Sequence, residues 1–204
     1  RDYYASRGLG DVYKRQALYS CLLYGQNSCD TIIDGKTIYP LGIACWKGEV
    51  ENIKKILASK DSIAMSDEIY EYDIYYAAVY WEQPEILQYL LQHNDKKVNE
   101  IYNDTGLTLL GLSCMLSNIS ISKILIEHGA DVNGYQTPYL EHFIFPLLEA
   151  IKSDKIELIE LLLNHGAKID IEDKEGNTPI SLAHDLHKSN IVELLLKYNK
   201  NATK

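Results

Sequence analysis

Cysteine is scarce in this chain of 204 residues, and none of its four cysteines (Cys21, Cys29, Cys45, Cys114) stands in a C-x-x-C pair. That spacing sets aside a dithiol redox motif and a zinc ribbon. Disulfides are not expected either, because Cys45 and Cys114 fall at one small apolar repeat position, where a free thiol behaves as a small hydrophobe. Free thiols suit a reducing interior, so a cytoplasmic or other intracellular location is the expectation. No apolar run approaches the ~18 residues of a membrane span. Positive charge is also short, with 20 Lys+Arg against 29 Asp+Glu and a net charge of −9. An acidic chain with no Lys/Arg stripe lacks the footprint needed for phosphate backbones and is repelled by anionic membranes. Neither nucleic acid nor membrane is expected as a partner. The chain has no G-x-S-x-G elbow, G-x-x-x-x-G-K loop, H-E-x-x-H helix or dinucleotide fingerprint, so no enzyme and no cofactor are expected. Carboxylates such as Asp67, Glu68, Glu157 and Glu160 read as a solvated face.

What is present is a unit that recurs at Tyr39, Asp73, Thr108, Phe145 and Thr178, with steps of 34, 35, 37 and 33 residues. A fixed period of this length marks a solenoid, in which each unit buries its apolar face against its neighbours. The copies open with a cap or a proline, as in Tyr39-Pro40, Thr108-Leu109, Phe145-Pro146 and Thr178-Pro179, which predicts a helix start. A small pair follows (Ala44-Cys45, Ala78-Val79, Ser113-Cys114, Ala150-Ile151, Ala183-His184), allowing close helix approach. A second stripe at spacings of three and four then predicts a second helix: Ile53/Ile56/Leu57, Leu87/Leu90/Leu91, Ile121/Ile124/Leu125, Ile159/Leu162/Leu163 and Val192/Leu195/Leu196. These second helices are expected to end at Asn94, Gly129, Gly166 and Asn199, types that tolerate a left-handed C-cap.

The segments Gly176-Asn177-Thr178-Pro179 and Glu127-His128-Gly129-Ala130-Asp131-Val132-Asn133 resemble the ankyrin repeat. The resemblance implies an all-α solenoid of helix-turn-helix units with β-hairpin-like connectors. Gly42, Tyr76, Gly111, Leu148 and Ser181 stand where that family usually has His, and Tyr139 to Ile144 lengthens one connector. Repeats are expected at about 34–67, 68–102, 103–139, 140–172 and 173–199, with 200–204 a polar tail and 17–33 the remnant of a truncated repeat. Residues 1–16 resemble translated sequencing-adapter sequence and are read as non-native; they hold four basic and two acidic residues, so the remainder carries −11.

His93, His128 and His165 recur at one repeat position. Repeats stack ~8–10 Å apart, too far for one zinc ion with nitrogens at ~2 Å, so each is read as a polar group complementing a helix C-terminus. His184 and His187 flank Asp185 without further ligands, so no metal is expected, and His184 is read as partly buried.

In ankyrin arrays the concave surface is built from connector tips and the exposed end of the first helix. That resemblance implies a protein-protein interaction scaffold, monomeric, contacting a partner protein through Trp46, Lys47, Tyr70, Tyr72, Tyr80, Trp81, Leu107, Met115 and Leu116. The later repeats supply polar residues there: Glu141, His142, Lys152, Ser153, Lys174, Glu175, Asn177 and Asp185. Tyr75 and Tyr76 are expected to point elsewhere. Leu125 to Asn133 also resembles the sequence around ankyrin asparagines hydroxylated by a 2-oxoglutarate oxygenase, which marks Asn133. Two other readings stand beside the scaffold: a recognition arm of a larger enzyme, and a spacer. The high Ile, Asn, Lys and Tyr content resembles the product of an AT-rich genome, which raises a host-directed effector as a version of the scaffold.

Overall fold

Helix starts follow the caps that the sequence supplies. The computed structural model describes residues 31–33, 36–38, 40–58, 74–101, 107–134 and 144–202. Thr108 Oγ1 accepts from the Gly111 N–H at 3.1 Å, opening α5 (Leu109–Met115). Thr178 and Ser181 form a reciprocal capping box at the start of α9 (Pro179–Asp185), with Ser181 N–H donating at 3.1 Å and Thr178 N–H at 2.8 Å. Pro40 opens α1 (Pro40–Lys47), and Pro146 opens α7 (Pro146–Lys152) without a side-chain cap from Phe145. Proline lacks only an N–H that the first turn leaves unpaired. The expected caps at Tyr39 and Asp73 lie outside the described residues. The remaining helices are α2 (Val50–Ala58), α3 (Ile74–Tyr80), α4 (Pro84–His93), α6 (Ile119–Glu127), α8 (Ile156–Asn164) and α10 (Ser189–Ala202).

Every first helix ends in the same turn. The residue three places past the second member of each small pair has positive φ: Gly48 (72°), Glu82 (55°), Ser117 (59°), Asp154 (59°) and His187 (57°). Its N–H and the next one return to two helix carbonyls, for example Ser117 N to Cys114 O at 3.0 Å and Asn118 N to Ser113 O at 3.0 Å. Equivalent pairs close at Ala44, Ala78, Ala150 and Ala183, so the last orphan carbonyls are satisfied five times over by one motif.

The second helices end less uniformly. Gly129 (φ 86°) and Gly166 (φ 89°) are left-handed as expected. Asn94 is not: it is extended at φ −154°, and its Oδ1 accepts from Lys96 N at 3.2 Å to cap a 3-10 turn over Asp95–Asn99. Asn199 ends nothing, since α10 runs through it.

Two compact units divide between Ile69 and Tyr70. In the first, β1 (Thr31–Ile33) pairs antiparallel with β2 (Lys36–Ile38), Thr31 opposite Ile38, and α1 packs on α2. These strands straddle the boundary expected between residues 33 and 34. In the second unit the first helices α3, α5, α7 and α9 stack in order, and α4, α6 and α8 stack behind them. Leu87, Leu90, Leu125, Ile159, Leu162 and Leu195 fill the layer between, all at most 2% exposed.

The shared turns set a register that shifts the third stripe by one residue. Counting from Ser117, the partner of Leu87 and Ile159 is Ser122 rather than Ile121, and Ser122 is fully buried. Its Oγ lies 2.8 Å from the buried Ser113 Oγ, and each oxygen lies 2.9 Å from a backbone carbonyl, so one hydroxyl donates to the other and the accepting one donates to its carbonyl. A hydroxyl pair thus replaces an aliphatic contact at no unsatisfied cost. The last stripe also departs, since Leu196 is 42% exposed and Val192 half-buried.

Side chains also tie one repeat to the next. Asn99 Oδ1 accepts from Asp131 N at 2.8 Å while its Nδ2 donates to Gly129 O at 3.0 Å. Asn133 Oδ1 accepts from Lys168 N at 2.8 Å in the next interval. Lys188 Nζ donates to Ile151 O at 2.7 Å and Lys152 O at 3.1 Å, and Tyr198 Oη to Asn164 Oδ1 at 2.7 Å. Gly134 (φ 69°) completes the connector, because a Cβ there would stand 2.8 Å from Ile144 O.

Candidate functional site

The residue just before each left-handed turn, and the one before that, lie at the C-terminal end of a first helix. Down the second unit these positions read Tyr80-Trp81, Met115-Leu116, Lys152-Ser153 and Asp185-Leu186. Tyr80, Trp81, Met115 and Leu116 are half-buried, Lys152 and Asp185 exposed, and Leu186 is 41% exposed. Trp46 (half-buried) and Lys47 (exposed) hold the same two positions within the first unit, with Lys47 Nζ 4.0 Å from Glu49 Oε1. The turn geometry therefore fixes the second repeat's register at Tyr80-Trp81, because Glu82 carries the left-handed φ.

Other expected contact residues sit differently. Leu107 is 5% exposed, so its side chain belongs to the core rather than to a surface. Tyr70, Tyr72, Glu141 and His142 lie outside the described residues. Lys152 Nζ pairs at 2.8 Å with Glu149, which is itself buried, and Lys174 lies 3.8 Å from Glu175. Asn177 serves its own loop: its N–H and Nδ2 donate to the two Asp173 carboxylate oxygens at 2.8 and 3.0 Å. Burial pushes the Asp173 carboxyl up, but hydrogen bonds from Asn177 and Glu175 outweigh it, and the group ends below its ordinary value.

Tyr75 turns inward as expected, 2% exposed, with Oη donating toward Leu90 O and Asn94 O at 3.2 and 3.1 Å. Tyr76 does not share that fate. It is half-buried and stacks on Tyr80 with ring centroids 6.0 Å apart and planes 13° from parallel. Their i,i+4 spacing is the signal that places both on one helix face. Glu82, absent from the expected set, is exposed at the turn, and Asn118 Nδ2 of the next repeat reaches its Oε2 at 3.3 Å.

The recurrent histidines do what the helix end requires. Nδ1 of His93, His128 and His165 lies 2.8, 2.9 and 2.8 Å from the carbonyl four residues back (Tyr89, Ile124, Leu161), so each ring donates to a C-terminal carbonyl. His184 is corrected to exposed: the matching residue of each other repeat (Cys45, Val79, Cys114 and Ile151) is buried, but among the described residues no helix packs over this side of α9. Among the described residues no group of three or more His, Cys, Asp or Glu is placed to hold a metal ion. Cys45 and Cys114 are free and buried, and burial pushes both thiols up to about 12. Asn133 is half-buried, its N–H donating to Asp131 Oδ1 at 2.9 Å. No described helix is long and apolar enough to cross a membrane.

Known proteins agree with this architecture. A family model described as ankyrin repeats (3 copies) matches residues 41–136 and 141–204. A probable 26S proteasome regulatory subunit, p28, from Saccharomyces cerevisiae is 24% identical over 167 residues, 80% of this chain and 72% of the yeast protein. The putative E3 ubiquitin-protein ligase XBAT35 of Arabidopsis thaliana is 34% identical over 107 residues, 52% of this chain but 23% of its own length. The putative ankyrin repeat protein YahD of Escherichia coli is 35% identical over 89 residues, 41% of this chain and 43% of that protein. Ankyrin repeats are generally non-catalytic protein-interaction modules. With a family model covering most of its length and the repeat geometry to match, this chain belongs to the ankyrin-repeat family.

Proposed function

We propose that the chain is a non-catalytic scaffold that binds a partner protein across the C-terminal ends of its first helices. The observation that carries this reading is the run of half-exposed large side chains Tyr80, Trp81, Met115 and Leu116 in two consecutive turns of identical geometry. Aromatic side chains of this kind dominate binding energy, a central one costing ~2 kcal/mol or more on truncation. Trp46 and Lys47 are assigned the same role within the first unit. The double variant Trp46→Ala/Trp81→Ala is expected to lose the partner captured by the parent protein while far-UV circular dichroism stays unchanged; equal capture by both overturns the assignment. Asn133 belongs to this proposal as the residue a 2-oxoglutarate oxygenase hydroxylates, read as one added oxygen in its peptide mass. The action is placed in a reducing, intracellular compartment, in keeping with the buried free thiols of Cys45 and Cys114.

A second reading, a recognition arm within a longer protein, is favoured by one observation: the match to XBAT35 occupies only 23% of that ligase.

A further inference from the structure

Around the aromatic turn of the second repeat, charge is one-sided. No lysine or arginine occurs from Ile74 to Asp95 or from Leu107 to Ser122. Within the same stretches Glu82 and Glu85 are exposed, and among the described residues no cation pairs with either. The second unit as a whole, Tyr70–Lys204, holds 20 acidic against 11 basic residues, so it carries the entire net charge of −9. The Glu82 carboxylate has a defined place: its residue follows Trp81 directly, and Asn118, two residues past Leu116, donates to it at 3.3 Å. It therefore stands at the junction between Tyr80-Trp81 and Met115-Leu116. A neutral amide orients this carboxylate without cancelling its charge.

We infer that the partner segment seated on Tyr76, Tyr80, Trp81, Met115 and Leu116 is basic, presenting a lysine or arginine whose cation lies against the rings and pairs with the Glu82 carboxylate. The inference rests on the binding reading above and names the chemistry of its partner. Two independent attractions converge on one cation there. Aromatic faces attract a cation through the ring quadrupole, and a carboxylate attracts it by charge, while the stem of a long basic side chain covers apolar surface such as Met115 and Leu116. An acidic segment meets repulsion from Glu82 and Glu85 and from the net charge of the unit. A neutral apolar segment leaves the two carboxylates unused.

The test is selection of a random-peptide phage library on the 204-residue chain, followed by fluorescence anisotropy of the selected peptides against three proteins: parent, Trp81→Ala and Glu82→Gln/Glu85→Gln. The expected result is peptides with a recurrent Arg or Lys beside apolar residues, whose affinity falls more than about tenfold with Trp81→Ala and roughly two- to fivefold with the double Gln variant. Their binding also weakens as salt rises. Peptides that depend on Trp81 but are neutral or acidic, and that bind the double Gln variant as tightly as the parent, overturn the inference and leave the binding face standing. Peptides indifferent to Trp81→Ala overturn the binding face itself. The double Gln variant changes only exposed side chains, so it separates the charge from any loss of folding.

Discussion

Two buried hydroxyls hold the third repeat together where its neighbours use aliphatic groups. Ser113 and Ser122 are both fully buried and 2.8 Å apart, and removing one deprives the other of this partner. Ser113→Ala and Ser122→Ala are each expected to cost about 1 kcal/mol, and the double variant less than their sum, since one shared hydrogen bond is lost only once. Urea titration of the four proteins checks this; strict additivity would count against the pair. Asp173 makes a different prediction. Its folded carboxyl sits below the unfolded value, so its stabilisation is present above that value and is lost as pH falls through the folded one. Asp173→Asn should be less stable than the parent at neutral pH, with the gap closing below about pH 4, as followed by thermal melts across pH.

Four of the five described first helices end on a non-glycine residue in the left-handed region: Glu82, Ser117, Asp154 and His187. Side chains resist that conformation, at a cost of ~1 kcal/mol or more. The turn persists because two backbone hydrogen bonds and the packed small residues beneath it over-determine the geometry. Among the described residues the Ser117 hydroxyl has no hydrogen bond to lose, so Ser117→Gly is expected to stabilise by up to about 1 kcal/mol, the strain relief partly offset by the freer unfolded chain. A lower denaturation midpoint would refute the strain argument. The same repetition explains why Glu82 and Asp154 face the next repeat: Asn118 reaches the first at 3.3 Å and Lys188 the second at 3.7 Å.

Stacked repeats touch only their neighbours, so the stability of the second unit is a sum over interfaces. Asn133 is the polar tie across one of them, through Lys168 N. Asn133→Ala removes the acceptor from that solvent-exposed N–H and is expected to cost about 0.5–1 kcal/mol, with hydrogen exchange rising first in the flanking connectors; uniform destabilisation would show that the tie is not local. Much of this molecule was legible in its residues. Period, caps and apolar stripes determined the helix hairpins, because those signals depend on local backbone demands and on 3.6-residue spacing. Trp46, Tyr80, Trp81, Met115 and Leu116 were legible as helix-end positions for the same reason. Burial was not, since it depends on what lies across the gap. Leu107 went to the core, His184 to solvent, and Tyr76 onto the face of Tyr80. Nor did spacing reveal that Ser122 replaces an aliphatic residue, because only the shared left-handed turns set the register. What the sequence determined was therefore where each helix begins and which repeat it serves; which side of each helix is covered, and by whom, was decided by tertiary packing, because exposure is a property of neighbours rather than of residues.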